Sequence, residues 1–342
     1  MRSILRWLFA AMAALAIAGC SPTPTIVGRV EIPLYVGEIA VGDDAVWLRQ
    51  TGSDRAGPIP GGLGAVLRLD PKLKQTVARI PLPVSNFAGR IAVGEGAVWV
   101  TEGDGGENLI RIDATTNEIV ATIPLGKNPH AIAVGESAVW VSDSATTYRI
   151  DPRTNQVVYW NPTGASAAIA VGTNAVWLIY GGGKVVRIDP RTNAVVATIP
   201  VTPSPTDVLV GEGVVWILQT PFGTAPQPSY LSRIDPATNT VMGEPIQVGN
   251  WAHMALGGGY LWIGSYEGKG GGELSRINPQ TLEKVGEPTQ IKPFISRLAF
   301  GLDSVFVVSV FADPAVHPTV IHQIRQRTIW DRIRGFFGLS SS

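Results

Sequence analysis

One position of a repeated phrase in this sequence carries side chains that differ in charge from copy to copy. Counting back four residues from the turn glycine of each copy reaches Glu38, Arg90, Asp207, His253 and Arg297, and reaches alanine in the other copies. Arginine binds planar carboxylate and phosphate groups through paired hydrogen bonds. Arg90, His253 and Arg297 therefore predict a site for a small anionic or mixed-charge ligand.

Two more residues lie close to this position. His130 stands one place before the equivalent position of its copy, directly after Pro129. Trp251 precedes His253 by two residues and is outside the tryptophans of the repeat. Trp251 is either a stacking surface beside the other groups or a buried connector. We call the full set the candidate ring: Glu38, Arg90, His130, Asp207, Trp251, His253 and Arg297. A plainer interpretation stays open, in which a solvated opening accepts any polar side chain.

The repeated phrase itself predicts the scaffold. It reads IAVGDDAVW at Ile39–Trp47, and seven copies follow one another at intervals of about 37 to 52 residues. The last copy, Leu298–Phe306, ends in phenylalanine where the others end in tryptophan. A fixed period of this size is typical of solenoids, propellers and repeat arrays. The regular position of the tryptophans indicates packing between neighbouring units.

A second motif, Arg-Ile-Asp-Pro-x-Thr-Asn, marks another turn in six of the seven units, in some as a variant, and is complete at Arg149–Asn155. Asp caps such a turn, Pro presets φ, and Asn tolerates the left-handed conformation. With alternating apolar strands, each unit has four antiparallel strands. We predict an all-β fold, a seven-bladed β-propeller of four-stranded antiparallel blades. An extra strand at 26–33 is expected to close it by joining the last blade, and a short C-terminal helix follows.

These repeats resemble the YVTN/YncE-type propellers of bacteria over residues 26–325, and more distantly the streptogramin (virginiamycin B) lyase family. Propellers support many unrelated functions, so the resemblance is specific for the fold and not for an activity. In a propeller, the loops between second and third strands share the face of the candidate ring. Here those loops vary most in length. Variable loops on a rigid scaffold are the expected binding surface.

No catalytic triad, phosphate-binding loop, haem motif or zinc spacing is present in the sequence. We therefore assign no catalytic residue, no metal and no cofactor. The resemblance to streptogramin lyase implies one alternative function, a metal-dependent lyase. Pro129-His130-Ala131-Ile132 is similar to the start of an inner strand in that family, and Trp99-Val100-Thr101-Glu102 is similar to its segment with a metal-site Glu. The two segments lie in different repeats, so the lyase site is not reassembled.

The N-terminus has the pattern of an export signal. Arg2 and Arg6 precede an apolar run that ends in Ile17-Ala18-Gly19-Cys20, which resembles a bacterial lipobox. The resemblance implies that residues 1–19 are a lipoprotein signal peptide, that Cys20 is lipidated, and that residues 20–25 are a lipid-anchored tether. A plain secretory signal followed by a chance cysteine is the alternative.

The tail at 328–342 differs from the repeats. Ile329, Trp330, Ile333, Phe336 and Phe337 fall at helical spacing with charged residues between them. Such a segment is either a short helix packed on the propeller or a second membrane anchor.

The formal charge of the chain is zero and no basic stripe is visible, which argues against nucleic acid as a partner. We expect a non-catalytic, lipid-anchored binding or scaffold module, with its propeller at 26–327. It would face the extracytoplasmic side of a bacterial cell envelope, in the periplasm or at the cell surface. Its partner would be an unknown small ligand or an envelope protein, and a structural role through the outer blade edges is a further possibility.

Overall fold

The computed structural model describes residues 24–51, 53–54, 57–58, 64–83, 89–143, 145–161, 166–172, 174–221, 227–266, 268, 271–311 and 318–326. Within these ranges the chain consists of β-strands joined by turns and contains no helix, so no helix able to cross a membrane occurs there. The predicted signal peptide, Cys20 and the C-terminal tail with its short helix lie outside the described residues.

The first half of the chain forms separate antiparallel sheets of four strands. β1 (Thr25–Ile32) comes first and pairs elsewhere. Sheet 1 contains β2 (Val36–Val41), β3 (Val46–Gln50), β6 (Ala65–Leu69) and β7 (Thr76–Pro81), and the short strands β4 (Ser53–Asp54) and β5 (Gly57–Pro58) pair with each other. Sheet 2 contains β8 (Ile91–Gly94), β9 (Ala97–Thr101), β10 (Asn108–Asp113) and β11 (Ile119–Pro124). Sheet 3 contains β12 (Ala131–Gly135), β13 (Ala138–Ser142), β14 (Thr147–Asp151) and β15 (Gln156–Asn161). Sheet 4 contains β16 (Ser166–Gly172), β17 (Ala175–Tyr180), β18 (Lys184–Ile188) and β19 (Val195–Pro200).

The rest of the chain is less regular. A long sheet contains β20 (Pro205–Gly211), β21 (Val214–Gln219), β22 (Pro228–Asp235), β23 (Thr240–Val241), β24 (Ile246–Gly257), β25 (Tyr260–Tyr266), β26 (Gly272–Ile277) and β27 (Thr289–Ile291). The 12-residue strand β24 pairs with β22 through its first part and with β25 through its second, so it joins two groups of strands. The terminal sheet contains β28 (Phe294–Gly301), β29 (Ser304–Val310), β30 (Thr319–Arg325) and β1.

The first described strand pairs with the last described strand. Thr25 of β1 lies opposite Arg325 of β30, and Ile32 lies opposite Thr319. The first strands of neighbouring sheets contact one another in succession, and β28 contacts β2 of sheet 1. The residues at the starts of these strands are therefore brought close together.

The core lies between adjacent sheets, and the repeat aromatics fill it. Trp99 of sheet 2 packs with Val139 and Val141 of sheet 3. Phe306 of the terminal sheet packs with Val46 in the core that reaches sheet 1. The predicted inter-sheet role of these aromatics is confirmed, because each is almost fully buried at 0 or 1% exposure: Trp47, Trp99, Trp140, Trp177, Trp216, Trp262 and Phe306.

The Asp-Pro-x-Thr-Asn turns form as the sequence predicts. In the turn after β14, the Oδ1 atom of Asp151 accepts a hydrogen bond from the amide of Arg153. Asn155, at the end of that turn, has a φ of 61°. Asn117, Asn193 and Asn239 have the same left-handed conformation in their turns. The asparagine is used because its short polar side chain tolerates this region.

The arginine of the same motif connects neighbouring sheets. The guanidinium of Arg111 lies 5.2 Å from the ring centre of Trp99, and its Nη1 atom donates to Oδ1 of Asn155 in the next sheet at 2.8 Å. We call this arrangement an Arg–Trp–Asn latch. It recurs in Arg68–Trp47–Asn117, Arg149–Trp140–Asn193 and Arg187–Trp177–Asn239.

The latch is incomplete farther along the chain. Leu282, with a φ of 64°, occupies the turn position that asparagine has in the earlier sheets. Arg276 is 2% exposed and stacks over Tyr260 and Trp262, yet its Nη1 and Nη2 atoms have no hydrogen-bond partner within the described ranges. The turn that would supply an acceptor is missing there, because the terminal sheet pairs the two ends of the chain.

Candidate ligand-binding site

The candidate ring lies on two adjoining cavities. A cavity of about 730 Å³ is lined by Asp207, Trp251 and His253. A second cavity of about 440 Å³ is lined by Glu38 and His130. Arg90 and Arg297 line both, as does Tyr35, which the sequence did not single out. The structure therefore brings together residues that are more than 250 positions apart in the chain, as in the Glu38–Arg297 pair with a separation of 259.

β-bulges orient four of these residues. The pairing register of the first and second strands shifts immediately before Glu38, Asp207, His253 and Arg297. A bulge bends its strand and redirects the next side chain, and bulges are common beside functional sites. The first strands are therefore regular near their turn glycine and irregular at their start. At these four irregular starts, a different side chain is directed toward the cavities.

Glu38 gathers both arginines at one oxygen atom. Arg90 Nη1 donates to Glu38 Oε1 at 2.7 Å, and Arg297 Nε donates to the same oxygen at 2.8 Å. Arg297 Nη1 also donates to the carbonyl of Ser296. Burial alone would lower the pKa of Arg297, but its bond and charge interaction with Glu38 raise that pKa overall. Both guanidinium groups are therefore held in place by Glu38 before any ligand arrives.

A third arginine lies beneath this group and belongs to β3. Arg49 is 1% exposed, and its Nη2 atom donates to the backbone carbonyl of Glu102 at 3.0 Å. Burial lowers the pKa of Arg49 to about 10, and the charges of Glu38 and Glu102 oppose that shift. A side chain at Gly89 would collide with the Arg49 guanidinium. The sequence predicts only a variable loop from Arg49 onward, so this buried cation is a group that sequence reasoning misses.

Asp207 and His253 line the larger cavity beside the arginines. Burial raises the pKa of Asp207, while Arg90, the bond from the Val208 amide and Arg297 act in the opposite direction. Burial lowers the pKa of His253 to about 3, and the positive charges of Arg297 and Arg90 add to the effect. His253 is therefore neutral at physiological pH, and contributes a hydrogen-bonding ring nitrogen to the cavity instead of a positive charge.

Trp251 is exposed at the edge of the larger cavity, which excludes the buried-connector alternative. Its side chain is 39% exposed, and its backbone has a φ of 42°. Its Nε1 atom donates to Oε1 of Gln227 at 3.1 Å. The ring is tilted against Tyr266 with centroids 5.1 Å apart, and Tyr266 is tilted against Phe294 at 5.2 Å. The three rings form a continuous aromatic wall, of which the sequence analysis identified only Trp251.

His130 and Glu102, the residues of the lyase resemblance, hold the scaffold together. His130 Nδ1 lies 2.7 Å from the carbonyl of Asn128, and Nε2 lies 2.9 Å from the carbonyl of Ser166 in the next sheet. Glu102 Oε2 accepts hydrogen bonds from the Glu107 amide and from both the amide and the side chain of Asn108. Within the described parts of the chain, no group of three His, Cys, Asp or Glu residues is arranged to hold a metal ion.

Similarity to solved structures identifies the fold. BamB from Moraxella catarrhalis matches 88% of this chain and 100% of its own, with 12% identity and a TM-score of 0.57. Kuenenia stuttgartiensis hydrazine synthase matches 86% of this chain and 96% of its own, with 14% identity and a TM-score of 0.64. The WD40 domain of Toxoplasma gondii coronin matches 91% of this chain and 90% of its own, with 11% identity and a TM-score of 0.65.

No protein-family model and no curated protein sequence matches the chain. The structural matches have identities far below the level at which function carries over, so they identify the fold alone. They are β-propellers, and the all-β arrangement of four-stranded antiparallel sheets in this chain is a β-propeller as well.

Proposed function

We propose that this chain is a non-catalytic binding or scaffold propeller of the bacterial cell envelope, anchored to a membrane through lipidated Cys20. The proposal includes a seven-bladed ring that β1 closes. The pairing of β1 with β30, the contact of β28 with β2 and the division of the long sheet at β24 support this ring. The resemblance of the Cys20 segment to a lipobox supports the anchor.

The observation that carries the binding role is the larger cavity. Its volume of about 730 Å³ falls within the range of small-molecule sites, about 300–1,000 Å³. It combines an apolar aromatic wall with a few polar groups of defined position, which is the usual composition of a ligand pocket. Arg90 and Arg297 line this cavity and are held by Glu38, so little ordering is needed when a ligand binds.

The lyase alternative has no comparable observation in its favour, since His130 and Glu102 are engaged in scaffold hydrogen bonds. Incubating the purified protein with a streptogramin and Mg²⁺ tests it. Opening of the antibiotic ring would overturn the non-catalytic role.

A thermal-shift screen tests ligand binding directly. We would compare the wild type with an Arg90/His253/Arg297→Ala triple variant against carboxylates, phosphates, sugars, peptidoglycan fragments and divalent metals. A ligand at 100 times its Kd stabilises the folded state by about 2.7 kcal/mol. We expect a shift in the wild type that the triple variant loses. If no compound shifts the wild type, the small-ligand role fails, and a protein partner on the rim loops or outer strands becomes the function to test.

The anchor has its own test. In a bacterial host, labelled palmitate should be incorporated into the wild type and into Ser21→Ala, but not into Cys20→Ser. Incorporation that survives Cys20→Ser would contradict the proposed lipidation.

A further inference from the structure

Two unlike walls line the larger cavity, and together they indicate a ligand class. One wall carries the aromatic rings of Trp251, Tyr266 and Phe294, and the other carries Arg90 and Arg297. We infer that this cavity binds a saccharide ring that bears a carboxylate group. The inference rests on the proposed binding function and narrows it to one chemical class.

The aromatic wall suits the apolar face of a sugar ring. Trp251 is 39% exposed, although tryptophan is a residue that folding normally buries, and Phe311 at the same cavity is 36% exposed. The face of an aromatic ring carries partial negative charge, which attracts the polarised C–H groups on one side of a pyranose. Trp251 is fixed by its hydrogen bond to Gln227 and its contact with Tyr266, so the stacking surface already exists without a ligand.

Neutral hydrogen-bonding groups line the space between the walls. Thr206 donates its hydroxyl to the carbonyl of Leu218, and Ser296 donates its hydroxyl to the carbonyl of Val308. Thr220 shares a hydrogen bond with Ser229. A hydroxyl that donates once keeps lone pairs as acceptors. These acceptors and the neutral ring of His253 match the hydroxyl groups of a saccharide, and a purely apolar ligand would leave them unpaired at a cost.

The arginine wall suits a carboxylate. Two guanidinium groups share a single oxygen atom of Glu38. The other acidic group beside them in this cavity is Asp207, and burial raises the pKa of its carboxyl. The hydrogen bonds of Arg90 and Arg297 within the described ranges do not use either Nη2 atom. A carboxylate that binds both Nη2 atoms would gain charge-assisted hydrogen bonds, the stronger kind.

One ligand can contact both walls. Phe294 and Arg297 lie on the same strand, β28, three residues apart. At about 3.3 Å per residue, this is about 10 Å. A pyranose ring stacked on the aromatic wall therefore extends its carboxylate toward the arginines within the same cavity.

The first experiment compares probes that each lack one part of the inferred ligand. Saturation-transfer NMR on the full-length chain would measure binding of methyl β-D-glucuronide, methyl β-D-glucoside and benzoate. The glucoside lacks the carboxylate, and benzoate lacks the hydroxylated ring. We expect the glucuronide to bind at least about tenfold more tightly than the glucoside, the factor for one charge-assisted hydrogen bond. It should also bind more tightly than benzoate, which has no hydroxyl groups to pair with the acceptors of the cavity.

Equal binding of the glucoside or of benzoate would overturn the inference, and so would absence of glucuronide binding. The proposed function is judged separately, because a thermal shift with any other small ligand that the triple variant loses would uphold it while the saccharide assignment fails.

Variants locate the binding. Arg90→Lys keeps the charge but loses the planar fork, and should weaken glucuronide binding about tenfold. Trp251→Leu should weaken it by a similar factor, whereas Trp251→Phe keeps an aromatic face and should retain most of it. Arg153→Gln is the matched control, since this arginine is 89% exposed in the turn after β14. Circular dichroism melts check folding, and unchanged affinity in folded Arg90→Lys and Trp251→Leu would place the ligand elsewhere.

Discussion

Sheets 1 to 4 and the sheets that follow them use the same repeat for different purposes. Each of sheets 1 to 4 is joined to the next by an Arg–Trp–Asn latch. In the long sheet, Leu282 occupies the turn position of a latch asparagine, and Arg276 has no hydrogen-bond acceptor in the described ranges. Most of the larger cavity is lined by this second region, including Asp207, Trp251 and His253.

This difference between the two regions indicates where side chains can change without a large loss of stability. The latches and buried tryptophans lie between sheets, so their loss opens gaps in a packed core. The starts of the first strands lie on the cavities, where unlike side chains create no gap. The positions that repeat therefore pack the core, and the positions that differ between repeats are the ones that can bind a ligand.

Trp140→Ala should cause the largest loss of stability, because it removes a buried ring from the latched region. Removing a fully buried tryptophan typically costs about 3–5 kcal/mol through lost contacts and an unfilled cavity. Trp251→Ala is the matched variant in the cavity region, and its loss of ring contact with Tyr266 should cost about 1 kcal/mol or less. Guanidinium denaturation measures both, and equal losses would contradict the division into scaffold and site.

Glu38→Gln should have the next largest effect, because it leaves two arginines without their shared carboxylate. We expect a loss of about 2–3 kcal/mol, somewhat below the range for a fully buried ion pair, since both arginines are partly exposed. Glu31→Gln is the control, because its ion pair with Arg29 is more than half exposed on both sides and should be worth about 0–1 kcal/mol. Urea denaturation separates the two, and similar losses would mean that Glu38 does not organise the site.

Acid should weaken the second region through His322 of β30. Burial lowers the pKa of His322 to about 4, with a smaller contribution from the charge of Arg29. The unfolded chain takes up a proton below about pH 6.5, but the folded chain does so only near pH 4, so stability falls as pH falls through this window. With these pKa values, the predicted loss between pH 6.5 and pH 5 is about 1–2 kcal/mol.

The control for this prediction is His322→Gln, which keeps a hydrogen-bonding group beside Ser309. Denaturation curves at the two pH values should differ less in this variant than in the wild type. An equally steep loss in the variant would assign the acid sensitivity to other groups.

The smallest expected effect compares a complete latch with an incomplete one. Arg111→Met removes a hydrogen bond to Asn155 and should cost about 1 kcal/mol. Arg276→Met removes a buried charge that has no acceptor among the described residues, so stability should stay the same or rise. A lower unfolding midpoint in Arg111→Met together with an equal or higher midpoint in Arg276→Met would support the comparison. A large loss of stability in Arg276→Met would show that Arg276 has a partner.

Much of the fold follows from the sequence because its causes are local. The turn motif predicts the left-handed conformation of Asn155, and the repeat position of Trp99 predicts its burial between sheets. The turn depends on residues within a few positions of each other. The burial of Trp99 is predictable because the tryptophan position recurs from unit to unit, although its packing partners lie in the next sheet. The pairing of β1 with β30 is also predicted, since an unpaired strand at each end of a repeat chain is a liability that pairing removes.

The candidate site is less accessible to sequence reasoning because its contacts join distant segments. The alignment of repeats selects five residues of the candidate ring, and all seven line the two cavities, but their binding role stays a prediction. It does not reveal that Ser166, 36 residues away, occupies His130 Nε2. The sequence does not identify Tyr266 and Phe294 because neither departs from the repeat pattern. Only the fold brings the ring of Tyr266 into contact with Trp251 and with Phe294.

The pairing of β1 with β30 has a mechanical consequence. Thr25 and Arg325 face each other, so the start of β1 and the end of β30 lie on the same side of the strand pair. A pull between the two ends then loads the hydrogen bonds one after another, in the manner of a zipper, instead of sharing the load among all of them. The join between the first and last strands is therefore where the molecule yields first under tension, while the latched sheets bear no load until it has parted.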